Sequence, residues 1–76
     1  MNITVEKEKQ ITVKAEENGR YVEVEKTTNI FLGYIVRNGI KKSISRDSFL
    51  NFDNIYELRL FVALLANAVR KLEDEL

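Results

Sequence analysis

The chain has 76 residues and 8.9 kDa, with 12 basic and 12 acidic side chains and no Cys, His, Trp or Pro. This inventory excludes disulfides, Ser-His-Asp and Cys-His catalytic arrangements, and the ligands that most zinc sites use. A single domain spanning residues 1–76 is expected at this length. A domain this small is marginally stable alone, so tight packing or a partner subunit is expected to support it.

No targeting or membrane segment is expected. Residues 1–10 are charged and lack the apolar core of a signal peptide. The longest apolar run covers residues 60–66, well short of the roughly 20 residues that cross a membrane. Together with the absence of Cys, these features predict a soluble cytoplasmic protein.

Residues 11–16 and 21–27 alternate between apolar and polar side chains on either side of Asn18-Gly19. Asn-Gly between alternating segments is a strong hairpin signal, because a type I′ turn needs positive φ at both central residues. The sequence therefore predicts a β-hairpin with its apolar side chains on one face. The two-residue turn fixes the pairing of Val13 with Val24, Lys14 with Glu23, and Ala15 with Val22.

A second hairpin is predicted around Asn38-Gly39, between strands 30–37 and 40–46. Strand 30–37 is apolar on both faces, which is typical of a strand buried on both sides. One helix covers only one face of an antiparallel sheet, so other material is expected on the second face. The predicted pairing places Arg37 opposite Ile40, Ile35 opposite Lys42, Gly33 opposite Ile44, and Phe31 opposite Arg46.

The first residues continue the alternation through Ile3 and Val5. They fit either an extra edge strand or the start of one long bent strand.

From about residue 54 the apolar period becomes helical. Asn54 with Glu57 forms a capping box of the Asn type, and Asp53 is the alternative N-cap. Two apolar rows together span roughly 200° of the helical wheel, whereas a surface helix needs a stripe of about 100°. The first row, at spacings of 4 and 3, is Leu58, Val62, Leu65, Val69, Leu72 and Leu76, and the second is Phe61, Leu64 and Ala68.

The expected fold is α+β: an antiparallel sheet of four or five strands from two Asn-Gly hairpins, followed by one long C-terminal helix. Strand 30–37 and the helix each carry surplus apolar surface, and large exposed apolar patches mark interfaces. We therefore expect a closed, two-fold homodimer. The residues expected to form the core or the dimer contact of the helix are Leu58, Phe61, Val62, Leu65, Val69 and Leu72.

Catalysis is not expected. The serines have no adjacent base, and the three glycines do not form a phosphate-binding loop. Paired carboxylates are interpreted as solvated surface charge, with a carboxylate dyad or a Mg²⁺ site as the alternative. No metal or other cofactor is predicted. These carboxylates are Glu16, Glu17, Glu23, Glu25, Glu73, Asp74 and Glu75.

The second hairpin is the only basic region. Residues 1–28 carry a net charge of −1, residues 29–50 carry +3 and residues 51–76 carry −2. Basic residues beside an aromatic ring could bind single-stranded nucleic acid, although basic residues also protect an edge strand against aggregation. The candidate nucleic-acid-binding residues are Tyr34, Arg37, Lys41, Lys42 and Arg46.

The order of elements over residues 11–76, with Lys42-Ser43-Ile44-Ser45 and residues 68–72, resembles the positive-cofactor-four-like family of single-stranded DNA-binding proteins. The four-residue stretch is similar to a basic-Gly-Ile-Ser segment that enters the last strand in that family. The resemblance implies a curved four-stranded sheet leading into a helix that pairs two subunits. It also implies single-stranded DNA binding, with Tyr34, Arg37, Lys41 and Lys42 at the matching positions.

Two functional hypotheses follow. The first is a non-enzymatic protein that binds a protein partner stoichiometrically, as small inhibitors from phages and mobile elements do. It is favoured by the missing catalytic groups, the surplus apolar surface and the acidic segments. The alternative is a dimer that binds single-stranded nucleic acid through the basic second hairpin. A purely structural subunit also fits the sequence.

Overall fold

The computed structural model of the chain describes residues 1–44, 52 and 54–76. These residues form an α+β fold in which a five-stranded antiparallel sheet precedes one C-terminal helix, as predicted. The sheet is a meander with its strands in chain order. The elements are β1 (Asn2–Lys7), β2 (Ile11–Glu17), β3 (Arg20–Lys26), β4 (Phe31–Arg37), β5 (Ile40–Ser43) and α1 (Ile55–Glu75).

Both predicted Asn-Gly turns are confirmed. Asn18 and Asn38 have φ of 54° and 52°, and Gly19 and Gly39 have φ of 76° and 77°. A type I′ turn needs these left-handed values, and its twist matches that of the flanking strands. The predicted registers are therefore also observed. They pair Val13 with Val24, Lys14 with Glu23, Ala15 with Val22, Ile35 with Lys42, and Arg37 with Ile40.

The two edge strands of the sheet are β1 and β5. At the first edge, β1 is antiparallel to β2, which decides between the two arrangements predicted for the first residues. At the other edge, β5 is described as Ile40–Ser43, and the predicted limit at residue 46 lies outside the described residues. The Ile44 amide still donates to the Gly33 carbonyl at 2.8 Å, as the predicted register requires. The predicted pairing of Phe31 with Arg46 lies outside the described residues.

The connection between β3 and β4 is closed by Thr27 and Ile30. The Thr27 amide donates to the Ile30 carbonyl at 2.9 Å, and the Ile30 amide donates to Thr27 Oγ1 at 3.1 Å. This local network satisfies backbone groups that the strands leave unpaired. It brings β4 alongside β3, with Val22 opposite Ile35.

Helix α1 begins at the predicted N-cap, but the Glu57 carboxylate, predicted to complete a capping box, binds Arg20 instead. Asn54 is its N-cap, in an extended conformation, and its Oδ1 accepts a hydrogen bond from the Tyr56 amide at 2.7 Å. Glu57 forms an ion pair with Arg20 at 2.7 Å, so its carboxylate ties the first turn to the sheet. The alternative cap, Asp53, lies outside the described residues.

The core lies between one sheet face and α1. Its fully covered side chains include Val13 and Val22 from the sheet and Phe61 and Leu64 from the helix. Burial of each such side chain contributes roughly 1.5–3 kcal/mol. The remaining core residues are Ala15, Val24, Ile35, Ala68 and Leu72.

The two predicted apolar rows of the helix do not have the arrangement expected of an a/d seam. Phe61, Leu64 and Ala68, the second row, face the sheet together with Leu72. The first row is divided: Leu72 is buried, whereas its valines lie on one flank, because the helix packs on β2 and β3 and leaves β4 only partly covered. Val62 and Val69 are 50% and 39% exposed as a result.

Ion pairs connect both ends of α1 to the sheet. The Arg20–Glu57 pair lies at the start of the helix, and a Lys7–Glu75 pair lies at its end. Lys7 holds the pKa of the Glu75 carboxyl below its usual value through a hydrogen bond. The two pairs link the ends of the helix to β3 and β1.

Candidate functional site

The strands alternate their side chains between two faces, and α1 covers only one of them within the described part of the chain. We call the other surface the open face. The registers of the four strand pairs place on it Thr4, Glu6, Thr12, Lys14, Glu16, Tyr21, Glu23, Glu25, Leu32, Tyr34, Val36, Lys41 and Ser43.

Val36 lies on the open face near the end of β4, beside the second Asn-Gly turn. It is only 4% exposed, although it does not belong to the core between the sheet and the helix. In the register it lies between Tyr21 on β3 and Lys41 on β5, and Tyr34 is its neighbour on β4. Val36 is thus a buried apolar position flanked in the register by larger side chains.

Lys41 contacts both an aromatic ring and a carboxylate near Val36. Its ammonium lies 4.4 Å from the centroid of the Tyr34 ring and 2.7 Å from the Glu23 carboxylate. The side chain therefore reaches from β5 across β4 to β3. The hydrogen bond to Glu23 raises the pKa of Lys41, against a smaller opposing effect of burial. The lysine is accordingly charged across the whole physiological pH range.

Lys14 makes the corresponding contact with Tyr21. It lies opposite Glu23 in the register, as predicted, and its ammonium is 4.1 Å from the centroid of the Tyr21 ring. A cation over an aromatic face contributes about 0.5–1 kcal/mol at exposed sites. Both tyrosines of the open face are thus held by a lysine from a neighbouring strand.

The structure brings together only part of the predicted nucleic-acid site. Tyr34 and Lys41 are in contact on the open face. Arg37 and Lys42 have the opposite strand parity and lie on the helix side of the sheet. The Arg37 guanidinium there lies 4.4 Å from the centroid of the Phe52 ring. The fifth candidate, Arg46, lies outside the described residues.

Sequence reasoning missed Tyr21, Lys14 and Glu23 as members of this site. The signal that could have found them is strand parity carried across the whole sheet. The two hairpin registers were predicted, but the register between β3 and β4 was not. That register places Glu23 opposite Tyr34 and joins the two hairpins into one surface.

The predicted helix residues are divided between the core and the flank. Phe61 and Leu72 are buried, Leu58 and Leu65 are partly buried, and the valines at 62 and 69 are exposed on the flank.

The paired carboxylates show no metal-binding arrangement in the described residues. Within residues 1–44, 52 and 54–76, no three acidic side chains come close enough to hold a metal ion. Glu23 and Glu75 instead pair with lysines.

No helix in the described part of the chain is long and apolar enough to cross a membrane. In comparisons with known proteins, no protein family, no curated protein and no solved structure matches the chain.

Proposed function

We propose that the chain is a non-enzymatic binding protein that uses the open face to occupy a surface of a protein partner stoichiometrically. The observation that carries this proposal is the group of ordered side chains around Val36, which lies on a face that α1 does not cover. Small inhibitors encoded by phages and mobile elements act in this way. The proposal places the protein in the cytoplasm and makes it a homodimer.

The residue types support protein binding. Tyrosine is enriched at the energetic centres of protein interfaces, because it combines a large apolar area with a polar end. Tyr21 and Tyr34 are also ordered in advance by Lys14 and Lys41. Ordering side chains before binding reduces the entropy lost when the complex forms.

The charges indicate which kind of protein would bind. Among the residues that the structure describes, the strands place four carboxylates and two lysines on the open face, a net charge of −2. A partner that presents Arg or Lys around an apolar centre would complement this surface. The carboxylates of the open face are Glu6, Glu16, Glu23 and Glu25.

The same charges disfavour the nucleic-acid alternative. Binding to a phosphate backbone needs a clustered basic surface. On the open face Lys41 is paired with Glu23. Arg37 and Lys42 lie on the other side of the sheet, so they do not form one basic cluster with Lys41 on the open face.

Affinity capture from a lysate of the organism that encodes the chain tests the proposal. Immobilised wild-type chain should retain a protein in a constant molar ratio, and Tyr34→Ala should lose it. The matched control is Arg70→Ala, an exposed position on the outer side of α1, which should retain it. Retention of no protein, or equal retention by both variants, would contradict the proposal.

A gel shift with oligo-dT distinguishes the alternative. We expect no shift at low salt. A shift with a steep salt dependence that Lys41→Ala reduces would support nucleic-acid binding instead.

A further inference from the structure

An apolar cleft opens on the helix side of the sheet, between the start of β4 and the second half of α1. Its volume is about 320 Å³, and its walls include Phe31 and Gly33 on the strand side and Val69 and Leu76 on the helix side. The cleft exists because α1 packs on β2 and β3 and leaves β4 only partly covered.

The walls of the cleft are unusually exposed for apolar residues. Phe31 is 60% exposed and Leu76 is 66% exposed. The exposed stripe continues along the helix through Val69 and Val62, at intervals of seven residues. Fourteen residues of helix span about 21 Å, so this is an extended surface and not a single exposed side chain. A seven-residue apolar repeat is the pattern by which helices pair with one another.

Opposite charges flank the cleft, with Glu73 in its lining and Lys26 beside the lining residue Phe31. The Lys26 ammonium is 5.2 Å from the Phe31 ring centroid and donates to the Thr27 carbonyl, on the strand side. Glu73 lines the cleft on the helix side. In a dimer whose two-fold axis runs along the cleft, the strand side of each copy faces the helix side of the other. Lys26 of each copy would then face Glu73 of the other, twice in the same interface.

We propose that this cleft is the contact between two copies of the chain. Phe31 of each copy packs against Val69 and Leu76 of the other, and the Lys26–Glu73 pairs close the rim. The self-complementary charges favour a second copy over a partner of one charge sign. The contact is separate from the open face, which lies on the other side of the sheet, so its test does not depend on the protein-binding function.

Sedimentation equilibrium of the purified chain, from low micromolar to submillimolar concentration, tests this contact. The wild-type chain should approach twice its mass of 8.9 kDa. Phe31→Asp should raise the dimer dissociation constant by at least about tenfold. The matched control is Ile40→Asp, which also charges a side chain that is 60% exposed but lies at the far end of the hairpin; its dissociation constant should stay at the wild-type value.

Circular dichroism would show whether Phe31→Asp unfolds the chain. If it does, exchanging the charges of Lys26 and Glu73 tests the contact instead. Lys26→Glu and Glu73→Lys should each weaken the dimer, and the double variant should restore it. A wild-type monomer over the whole concentration range would overturn the proposal. Equal effects of Phe31→Asp and Ile40→Asp, or a double variant that does not recover, would also overturn it.

Discussion

Lys41 reaches across a whole strand to Glu23: its ammonium lies 2.7 Å from the carboxylate, after passing over the Tyr34 ring at 4.4 Å from the ring centroid. The contact joins β5 to β3 on the open face. It fixes the position of Tyr34, which lies two residues from the buried Val36 on the same strand. Through it, a lysine of the edge strand β5 becomes part of the ordered open face. The position of the ring therefore depends on a lysine and a carboxylate from the two neighbouring strands.

Lys41→Met should release this contact at a small cost in stability. The lysine is 46% exposed, so solvent screens the pair, and we expect a loss of about 0.2–1 kcal/mol in the free energy of unfolding. Urea titration followed by tyrosine fluorescence measures it. Lys42→Met, the adjacent residue on the other side of the sheet, is the control and should change less. Equal losses in the two variants would show that the contact contributes nothing specific.

Leu64→Ala and Val62→Ala should separate the core row of the helix from its flank. Leu64 is fully buried, so its truncation should cost about 2–5 kcal/mol. Val62 is 50% exposed, and in dilute protein its truncation should cost within about 0.5 kcal/mol. Thermal or urea unfolding provides both values. A larger loss at Val62 would mean that the helix is rotated from the position described.

Gly33→Ala should be destabilising because of Ile44. A Cβ at position 33 would lie 2.8 Å from Ile44 Cδ1, and this contact forces the isoleucine to move. We expect a cost of about 1 kcal/mol. Ile44→Val removes that Cδ1 atom, so the cost of Gly33→Ala should fall toward zero in the Ile44→Val background. A double-mutant cycle measures the coupling, and additive losses would contradict the close approach.

Glu75 should make stability depend on pH in the acidic range. Its pKa is lowered by Lys7 in the folded chain, so its contribution is present above the unfolded pKa and is lost as pH falls through the folded pKa. The stability difference between wild type and Glu75→Gln should therefore be constant at neutral pH and shrink below about pH 4.5. Urea titrations at several pH values measure it. Asp74→Asn, which removes the adjacent exposed charge, is the control and should lack this profile.

Local chemistry was sufficient to predict most of the fold. The two Asn-Gly turns specify both backbone conformation and register, so each hairpin could be paired residue by residue. Asn54 marks the start of the helix, because its side chain satisfies a backbone amide that the helix leaves unpaired. These signals act over a few residues and need no knowledge of tertiary packing.

The candidate site was less predictable, because it depends on contacts between hairpins. The turn between β3 and β4 carries no Asn-Gly signal, so the pairing of Glu23 with Tyr34 could not be derived. Adjacent lysines also appear as one basic patch in a sequence, whereas strand parity places Lys41 and Lys42 on opposite faces. Which apolar row of the helix is buried likewise depends on how the helix packs on the sheet, which the sequence pattern does not specify.

Site-specific photo-crosslinking at position 34 tests the central claim most directly. A photoreactive aromatic residue replaces Tyr34 on the open face, and in a parallel variant it replaces Arg70 on the outer side of α1. In lysate, the substituted position 34 should form an adduct with one protein, in a yield that excess wild-type chain suppresses, and position 70 should not. An adduct from position 70 alone, or none from position 34 with a partner bound, would contradict protein binding through the open face.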